Sequence, residues 1–313
     1  MDVLKETNDR FTFFPIQHAD IYDLYRNAVS SFWIAQEIDM SKDKAAFDKL
    51  TNNEQHFIKM TLAFFAGSDG IICENIAAHF LQEVQLPESR AFWSYQIFNE
   101  QVHGETYALM IDSLVKDRQE KTELFRAINY VPIIKRKADF ALKHMDNALP
   151  FNRRLFAFGC VEAISFSASF AAIYWLKSRH VDMAGLILSN SFIARDEATH
   201  AEHCILLYSK ISRLTDSEAH EVVRECVDIE RIFTTEAVPC RMLGMNSDLM
   251  MNYIEFVADR FLVQCGHPKL YHATNPFNWM ELLSLDNKTN FFETRVSEYA
   301  LADRGLISEE CFL

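Results

Sequence analysis

Apolar residues recur along most of the chain at the three- and four-residue intervals of amphipathic helices. The pattern predicts a helix over residues 19–37 and a longer one ending near residue 82, with Thr51 or Asn52 as its N-cap. Pro87 favours the start of a third helix, which continues to about residue 114. Further helices are predicted over residues 119–128, 131–147, 151–178, 183–212, 216–242 and 246–265.

The composition favours an all-α fold. The 313 residues are 49% hydrophobic but include only 8 Gly and 7 Pro, which suits long helices with short connections. No repeat or Gly/Ser linker divides the chain, so residues 18–292 are predicted to form a single helical domain. Residues 1–17 are expected to form a surface arm. The charged segment 293–313 is expected to be a flexible tail.

The charge of the chain argues against one class of partner. A net charge of −13 does not suit a nucleic-acid binder, which needs a basic surface to displace phosphate counterions. The 7 Cys residues form no CxxC pair, and no secretory signal precedes them, so reduced thiols in a cytoplasmic protein are expected.

One stretch is long and apolar enough to span a bilayer. Between residues 155 and 176 the only charged residue is Glu162, and three serines accompany it. Because an ionisable group is costly in lipid, a wholly buried core helix and no membrane span are predicted. A carboxylate buried in such a helix needs a partner or a metal ion.

Two Glu-x-x-His pairs, Glu100 with His103 and Glu197 with His200, carry the main chemical signal. A spacing of three puts both side chains on one helix face, about 60° apart around the axis. One pair alone is weak evidence, because a chain with 11 His contains such matches by chance.

Two isolated acids strengthen that signal. Asp69 is the only charged residue between Lys59 and Glu74, and Glu162 stands alone in its own apolar helix. Helical bundles build dinuclear iron or manganese sites from one acid on each of two helices and Glu-x-x-His on two others. Two divalent ions would neutralise the four carboxylates, which otherwise repel one another. Taken singly, any of the six residues could still be an ordinary core or surface group.

Several residues near this predicted site have more than one interpretation. Tyr107 lies about 40° around the helix from His103, so it is either core packing or an oxidisable phenol beside the metals. Phe166, Phe170 and Ile193 could wall it from water. Asp196 suits either an acceptor for a metal-bound His or an ion pair with Arg195.

Two further residues fit this picture less clearly. Trp33 cannot be distinguished from core packing by its spacing. His203 is expected to be solvated or to lie behind the ligands, because Glu202 beside it suggests a polar position.

In order along the chain, these motifs resemble those of the class I ribonucleotide reductase small subunit, in its eukaryotic and large-DNA-virus branch. The resemblance covers about residues 12–299. It rests on Ser31-Phe-Trp33, Asp69 within Ala-Gly-Ser-Asp-Gly-Ile, Glu100 with His103 and Tyr107, Glu162 within Val-Glu-Ala-Ile-Ser-Phe-Ser-Ala-Ser-Phe, Arg195-Asp-Glu-Ala-Thr-His200, Tyr253-Ile-Glu-Phe-Val-Ala-Asp-Arg260, Asn275-Pro-Phe and Lys288-Thr-Asn-Phe-Phe-Glu293.

The resemblance implies a ferritin-like bundle with two irons per chain, manganese being the alternative, oxo-bridged when oxidised. It assigns one iron to Asp69, Glu100 and His103, and the other to Glu162, Glu197 and His200, with carboxylate bridging. Reaction with O2 would leave a radical on Tyr107.

The resemblance also implies how that radical is used. It would pass through His103, Asp196 and Trp33 toward Tyr299, and then to a large subunit that reduces ribonucleoside diphosphates. A homodimer is expected, with the tail docking on the large subunit.

Two features depart from the family pattern. The chain ends Ser308-Glu-Glu-Cys-Phe-Leu313 rather than in Asp-Ala-Asp-Phe, although its acids followed by Phe312 keep the character of a docking tail. Ser165 stands where some relatives have Phe.

The competing functions are another ferritin-like diiron oxidase, a non-catalytic small-subunit paralogue and, least favoured, an iron-storage protein.

Overall fold

The computed structural model describes residues 3–237 and 245–277, and within these ranges the regular structure is helical, with no strand. The described residues up to Pro276 form one compact unit. The predicted tail 293–313, with Tyr299, and the Lys288–Glu293 motif lie outside the described residues.

The helices agree closely with the apolar pattern. They are α1 (Ala19–Ser30), α2 (Asp43–Phe47), α3 (Asn52–Asn75), α4 (Leu81–Glu83), α5 (Pro87–Leu114), α6 (Arg118–Phe125), α7 (Ala127–Tyr130), α8 (Pro132–Lys143), α9 (Phe151–Cys160), α10 (Ser167–Ser178), α11 (Ala184–Tyr208), α12 (Asp216–Ile232) and α13 (Ser247–Gln264). Three π-helical segments, Ile76–Phe80, Val161–Ser165 and Phe233–Ala237, extend α3, α9 and α12. Short 3₁₀ turns cover Asn8–Phe11 and Ala35–Glu37.

The predicted first helix, over residues 19–37, is too long. Helix α1 ends at Ser30, and a non-helical stretch follows before the 3₁₀ turn at Ala35–Glu37. Trp33 lies in that stretch and its side chain is only 2% exposed, because the indole nitrogen bonds to Asp196 in the core. A buried side-chain contact therefore overrides local helix propensity here.

Other boundaries differ by a few residues. The segment predicted over 119–128 divides into α6 and α7, while α8 and α11 each end about four residues earlier than the pattern indicates. The segment predicted over 216–242 is α12 followed by a π-helical turn. Residues 238–244 lie outside the described part of the chain.

Side-chain caps fix the ends of two long helices. Thr51 caps α3 in a reciprocal capping box with Glu54, as the sequence predicts for Thr51 or Asn52. Asp43 is fully buried, and its carboxylate accepts hydrogen bonds from the backbone N–H groups of Gly185 (3.0 Å) and Leu186 (2.7 Å) at the start of α11. These caps set the positions of helices that bear predicted ligands.

The N-terminal segment is held to the bundle by backbone hydrogen bonds. The carbonyl of Val3 accepts from the N–H of Gln85 at 2.8 Å. The buried carboxylate of Glu88 accepts from the N–H groups of Gln17 (2.8 Å) and His18 (3.1 Å). The segment leading into α1 therefore lies against the start of α5.

The most apolar stretch of the chain is a core element. Phe151–Ser178 is long and apolar enough to cross a membrane, but 89% of its most apolar window is buried inside the protein. The predicted buried core helix is thus confirmed for these residues. It packs on α11, and α5 packs in turn against α1, α3 and α11. The predicted ligands face the space between these helices.

Candidate metal centre

Four helical elements bring the six predicted ligands together. Asp69 comes from α3, Glu100 and His103 from α5, Glu162 from the π-helical segment after α9, and Glu197 and His200 from α11. Each of the six is at most 3% exposed. One potential ligand atom from each of Asp69, Glu100 and His103 lies within 4.8 Å of the others, and the same holds for Glu100, Glu162, Glu197 and His200.

Two carboxylates span the two halves of this cluster. Glu100 places one oxygen 3.3 Å from Nδ1 of His103 and the other 3.0 Å from Nδ1 of His200. Glu197 places its oxygens 3.1 Å and 3.3 Å from the same two nitrogens. Each carboxylate therefore presents one oxygen to each imidazole, which is the arrangement of ligands bridging two ions.

The two imidazoles are oriented by acceptors on their outer nitrogens. Nε2 of His103 lies 3.3 Å from Oδ2 of Asp196, and Nε2 of His200 lies 3.0 Å from Oδ1 of Asn99. Metal-bound His residues are normally fixed in this way, with one nitrogen donating and the other left for the ion. Both rings thus turn Nδ1 toward the carboxylates.

Unpartnered atoms at the centre of the cluster test whether metal ions fit. Oδ2 of Asp69, Oε2 of Glu100, Nδ1 of His103 and Oε2 of Glu162 are buried without a hydrogen-bond partner. Buried polar atoms are rarely left so, because their desolvation is costly. Two oxygen-preferring ions would satisfy these atoms, and an oxygen-rich set with two imidazoles suits iron or manganese.

The protonation of the cluster leads to the same conclusion. Burial and the charge of Glu100 raise the pKa of Asp69 well above its usual value, and burial with Glu197 does the same for Glu162. Burial opposes the charged form of His200, but Glu100 and Glu197 outweigh it and raise its pKa to about 9. The metal-free cluster therefore holds protons in place of cations, and divalent ions would displace them.

Gln96 and Asn99 are polar residues at the site that the sequence analysis missed. The amide nitrogen of Gln96 donates to Glu162 (2.9 Å) and to Glu100 (3.2 Å). Asn99 accepts from His200 and also donates to Asp196 at 3.2 Å. Gln96 precedes Glu100 by four residues, a spacing that could have indicated a shared helix face. Asn99 precedes His103 by the same four residues, but nothing in the sequence indicates its contacts with His200 and Asp196 on another helix.

Tyr107 lies in an apolar enclosure next to the cluster. Its side chain is 4% exposed, and its ring centroid lies 4.9 Å from that of Phe65, which was not predicted. The predicted wall residues Phe166 and Phe170 pack against Phe65 at 5.7 and 5.1 Å. Burial, together with the negative charge of Asp69, raises the pKa of Tyr107 well above its ordinary value. The phenol is therefore protonated and shielded from solvent.

Asp196 connects Trp33 to the cluster. Its Oδ2 accepts from the indole nitrogen of Trp33 at 2.7 Å and lies 3.3 Å from Nε2 of His103. Arg195 binds the other oxygen at 2.7 Å, so Asp196 contacts both His103 and Arg195. Burial alone would raise the pKa of Asp196, but His103 and Arg195 bring it to about 2. Asp196 is thus a charged acceptor.

Of the two expectations for His203, solvation or a position behind the ligands, the structure excludes solvation. It is fully buried, its ring stacks on Phe92 at 4.1 Å, and Nε2 lies 2.8 Å from the hydroxyl of Ser89. Burial, reinforced by the charge of His200, lowers its pKa to about 3. Its side chain fills the core, and it belongs to neither group of candidate ligands.

Comparison with known proteins agrees with this geometry. The family model described as ribonucleotide reductase, small chain, matches residues 10–276. The ribonucleoside-diphosphate reductase small chain of Nicotiana tabacum is 50% identical over 301 residues, covering 96% of this chain and 91% of that protein. The Dictyostelium discoideum small subunit is 48% identical over 300 residues, covering 95% and 88% respectively.

A solved structure extends the likeness to three dimensions. The ribonucleotide reductase Rnr4 homodimer from Saccharomyces cerevisiae has a chain that is 31% identical, with a TM-score of 0.82 over 95% of this chain and 92% of that one. The helical fold, the buried carboxylate–histidine cluster and these matches lead to one conclusion: the chain belongs to the ribonucleotide reductase small-chain family.

Proposed function

We propose that the chain is the radical-generating small subunit of a class I ribonucleoside-diphosphate reductase. The observation that carries the proposal is the single buried assembly formed by the six candidate ligands, Tyr107 and the Trp33–Asp196 pair. Asp69, Glu100 and His103 would hold one iron, and Glu162, Glu197 and His200 the other. Glu100 and Glu197 would bridge the pair. Manganese is the alternative metal.

Tyr107 is the residue proposed to store the oxidising equivalent. When bound, the iron pair would supply, with O2, the one-electron oxidation that converts the Tyr107 phenol into a neutral radical. Phe65 packs on Tyr107, and Phe166 and Phe170 pack on Phe65, so these apolar rings would keep water and reductants away from the radical. Since burial raises the pKa of Tyr107 and disfavours the phenolate, loss of the proton before the electron is disfavoured.

Trp33, Asp196 and His103 form the proposed route for the radical out of the core. Oxidation of an indole makes its N–H strongly acidic, and the charged Asp196 oxygen 2.7 Å away can accept that proton. Arg195 fixes the other oxygen of Asp196 and also donates to the carbonyl of Ser31 at 3.0 Å. These two hydrogen bonds of Arg195 fix Asp196 relative to the backbone next to Trp33. Reversible proton transfer between Trp33 and Asp196 therefore needs little rearrangement.

The proposed partners follow from the family. A large subunit would receive the radical through Tyr299 and the segment 293–313, bind the ribonucleotide and reduce it. A homodimer is proposed because the related Rnr4 structure is described as one. The cytoplasm is the proposed location.

Electron paramagnetic resonance tests the central proposal. Metal-free protein is loaded anaerobically with ferrous iron, exposed to O2 and frozen, with Tyr107→Phe treated in parallel. The expected result is a tyrosyl signal in the parent chain that is absent from the variant, with equal iron uptake by both. Tyr174→Phe is the control, because Tyr174 is also buried but lies on α10. It should retain the signal.

Two outcomes would redirect the proposal. A radical that persists in Tyr107→Phe would place the oxidised residue elsewhere. The second outcome is that the chain binds two irons but forms no organic radical, and that manganese-loaded protein forms none either. This outcome would favour a diiron oxidase or a non-catalytic paralogue. Reductase activity of the chain mixed with a large subunit then separates those two alternatives from the proposed function.

A further inference from the structure

A buried ion pair lies behind the candidate metal centre, in a part of the core that the proposed function does not use. Lys137 on α8 is 6% exposed and forms an ion pair with Glu230 on α12, which is fully buried. The ammonium group also lies 3.7 Å from the ring centroid of Phe64 and 4.0 Å from that of Phe233. A lysine with so little solvent contact is rare unless it is paired.

The third partner of Lys137 connects this pair to the metal centre. Its Nζ donates a 2.8 Å hydrogen bond to the backbone carbonyl of Ser165. Ser165 is the last residue of the π-helical segment Val161–Ser165, and Glu162 belongs to the same segment. The bond therefore joins α8 and α12 to the helical turn that presents a candidate ligand.

The backbone at this point needs such support. The π-helical segment ends at Ser165, and Phe166 forms a turn before α10 begins at Ser167. Side chains bond the carbonyls at this break: the hydroxyl of Ser167 donates to Ile164 at 2.7 Å, and Lys137 donates to Ser165. Breaks in a helical hydrogen-bond ladder are stabilised in this way, and π-bulges concentrate at functional sites.

General stability does not account for the pair. A buried ion pair contributes little net stability compared with well-packed hydrophobic residues of the same size, because both charges lose their hydration. Hydrophobic residues could not replace the hydrogen bond by which Lys137 fixes the carbonyl of Ser165.

We propose that Lys137, held by Glu230, is a positioning residue for the metal centre: it anchors the turn Val161–Ser165 and so fixes the place of Glu162 among the ligands. The proposal rests on the proposed metal-binding function. According to the proposal, the Lys137–Glu230 pair influences the ion that Glu162, Glu197 and His200 would bind. It does not influence the ion that would bind on the Asp69 side of the cluster.

The test uses the double variant Lys137→Met/Glu230→Met in the full chain. Replacing both partners avoids leaving a lone buried charge, and the unbranched Met side chain matches Glu in length and is one atom shorter than Lys. The matched control is Lys143→Met/Glu225→Met, which removes an exposed ion pair between the same two helices, α8 and α12. Thermal unfolding of both variants establishes that each is folded.

The first measurement is amide hydrogen exchange in metal-free protein. The double variant is expected to exchange faster in residues 161–170, with no change in residues 151–160, and the control pair is expected to match the parent. Unchanged exchange in 161–170 would overturn the proposal. Because no metal is present, this result does not depend on the proposed function.

The second measurement counts bound ions by anaerobic titration with Mn²⁺, using the magnetic resonance signal of the free ion. The parent chain is expected to bind two ions. The double variant should bind one ion with the affinity of the parent. Its affinity for the other ion should be lower by about tenfold or more, which is the usual effect of losing a residue that orients a ligand. Equal weakening of both ions, or no weakening, would contradict the proposal. Fewer than two ions in the parent would instead contradict the proposed metal centre.

Discussion

The indole nitrogen of Trp33 donates a 2.7 Å hydrogen bond to Oδ2 of Asp196, a residue 163 positions further along the chain. The same oxygen lies 3.3 Å from Nε2 of His103, whose other nitrogen faces the carboxylate cluster. Trp33 and His103 also stack, with ring centroids 6.0 Å apart. One carboxylate oxygen thus connects a tryptophan outside the cluster with a candidate ligand inside it.

Replacing Trp33 by Phe should separate radical formation from radical use. The variant keeps an aromatic ring but loses the N–H that Asp196 accepts. We expect it to bind metal and form the Tyr107 radical, yet to lose reductase turnover by about 100-fold or more, as when a proton-transfer partner is removed. Magnetic resonance of the loaded chain and turnover with a large subunit measure the two effects.

Trp93→Phe is the matched control for that prediction. Trp93 is also fully buried, but it packs on Phe80, Phe158 and His203 rather than on Asp196. Its replacement should leave turnover close to that of the parent. If Trp33→Phe and Trp93→Phe lose turnover equally, the loss reflects core packing and not the hydrogen bond to Asp196.

Asn99 should control metal affinity although it is not a candidate ligand. Asn99→Leu removes the acceptor 3.0 Å from Nε2 of His200 while keeping a side chain of similar size. Loss of such an orienting partner typically weakens metal binding about 10- to 100-fold. Anaerobic titration with Mn²⁺ measures this. The control, Asn190→Leu, alters a buried amide on the same helix as His200. Affinity for both ions within twofold of the parent would refute an orienting role for Asn99.

Asp43 should be important for stability because it caps α11, which carries Glu197 and His200. Its carboxylate accepts from Gly185 and Leu186, and it is fully buried. Asp43→Ala should lower the free energy of unfolding by about 1–2 kcal/mol, the usual cost of a lost cap. The control is Asp48→Ala, which removes an exposed partner of Lys44. Thermal unfolding checks this, and equal melting temperatures for the two variants would argue against the cap.

The helical fold and the six clustered side chains were predictable because each left a local mark on the sequence. Glu100 and His103 share a helix face by spacing alone. Asp69 and Glu162 are single charges in apolar helices, and burying a charge is too costly to occur without a compensating partner. These signals depend only on neighbours in the sequence, so they survive without knowledge of the fold.

Features that depend on distant segments were not predictable. Asn99 and Phe65 acquire their roles only when α5 meets α11 and α3 meets α5. His203 looked polar beside Glu202, but the helix turns it toward Phe92 and the core. Helix α1 ends at Ser30 because Trp33 must reach Asp196, a constraint that nothing in residues 19–37 reveals.

His144 should make the fold sensitive to mild acid. Burial lowers its pKa to about 4, and the neighbouring charge of Lys143 adds to the effect. Both of its ring nitrogens are buried without a hydrogen-bond partner, and the nearest carboxylate oxygen, on Glu225, lies 3.9 Å from Nε2. The folded state therefore favours the neutral ring.

The sign of the effect follows from linkage. In the unfolded chain His144 takes up a proton as the pH falls below about 6.5, whereas in the folded chain it does so only near pH 4. Stability contributed by the neutral ring is therefore complete above pH 6.5 and is lost as the pH falls toward 4. At pH 5.5 the loss should be about 1 kcal/mol.

His144→Leu removes this titration. We expect the melting temperature of the parent chain to fall more than that of the variant between pH 7.5 and 5.5, by about 2–4 °C for a chain of this size. His220→Leu is the control, since His220 lies on the surface, where it bonds to the carbonyl of Pro268. An equal fall in melting temperature for the parent and His144→Leu would contradict this prediction. It would mean that His144 binds equal numbers of protons in the folded and unfolded states. Burial of the neutral ring would then not be the cause of the acid sensitivity.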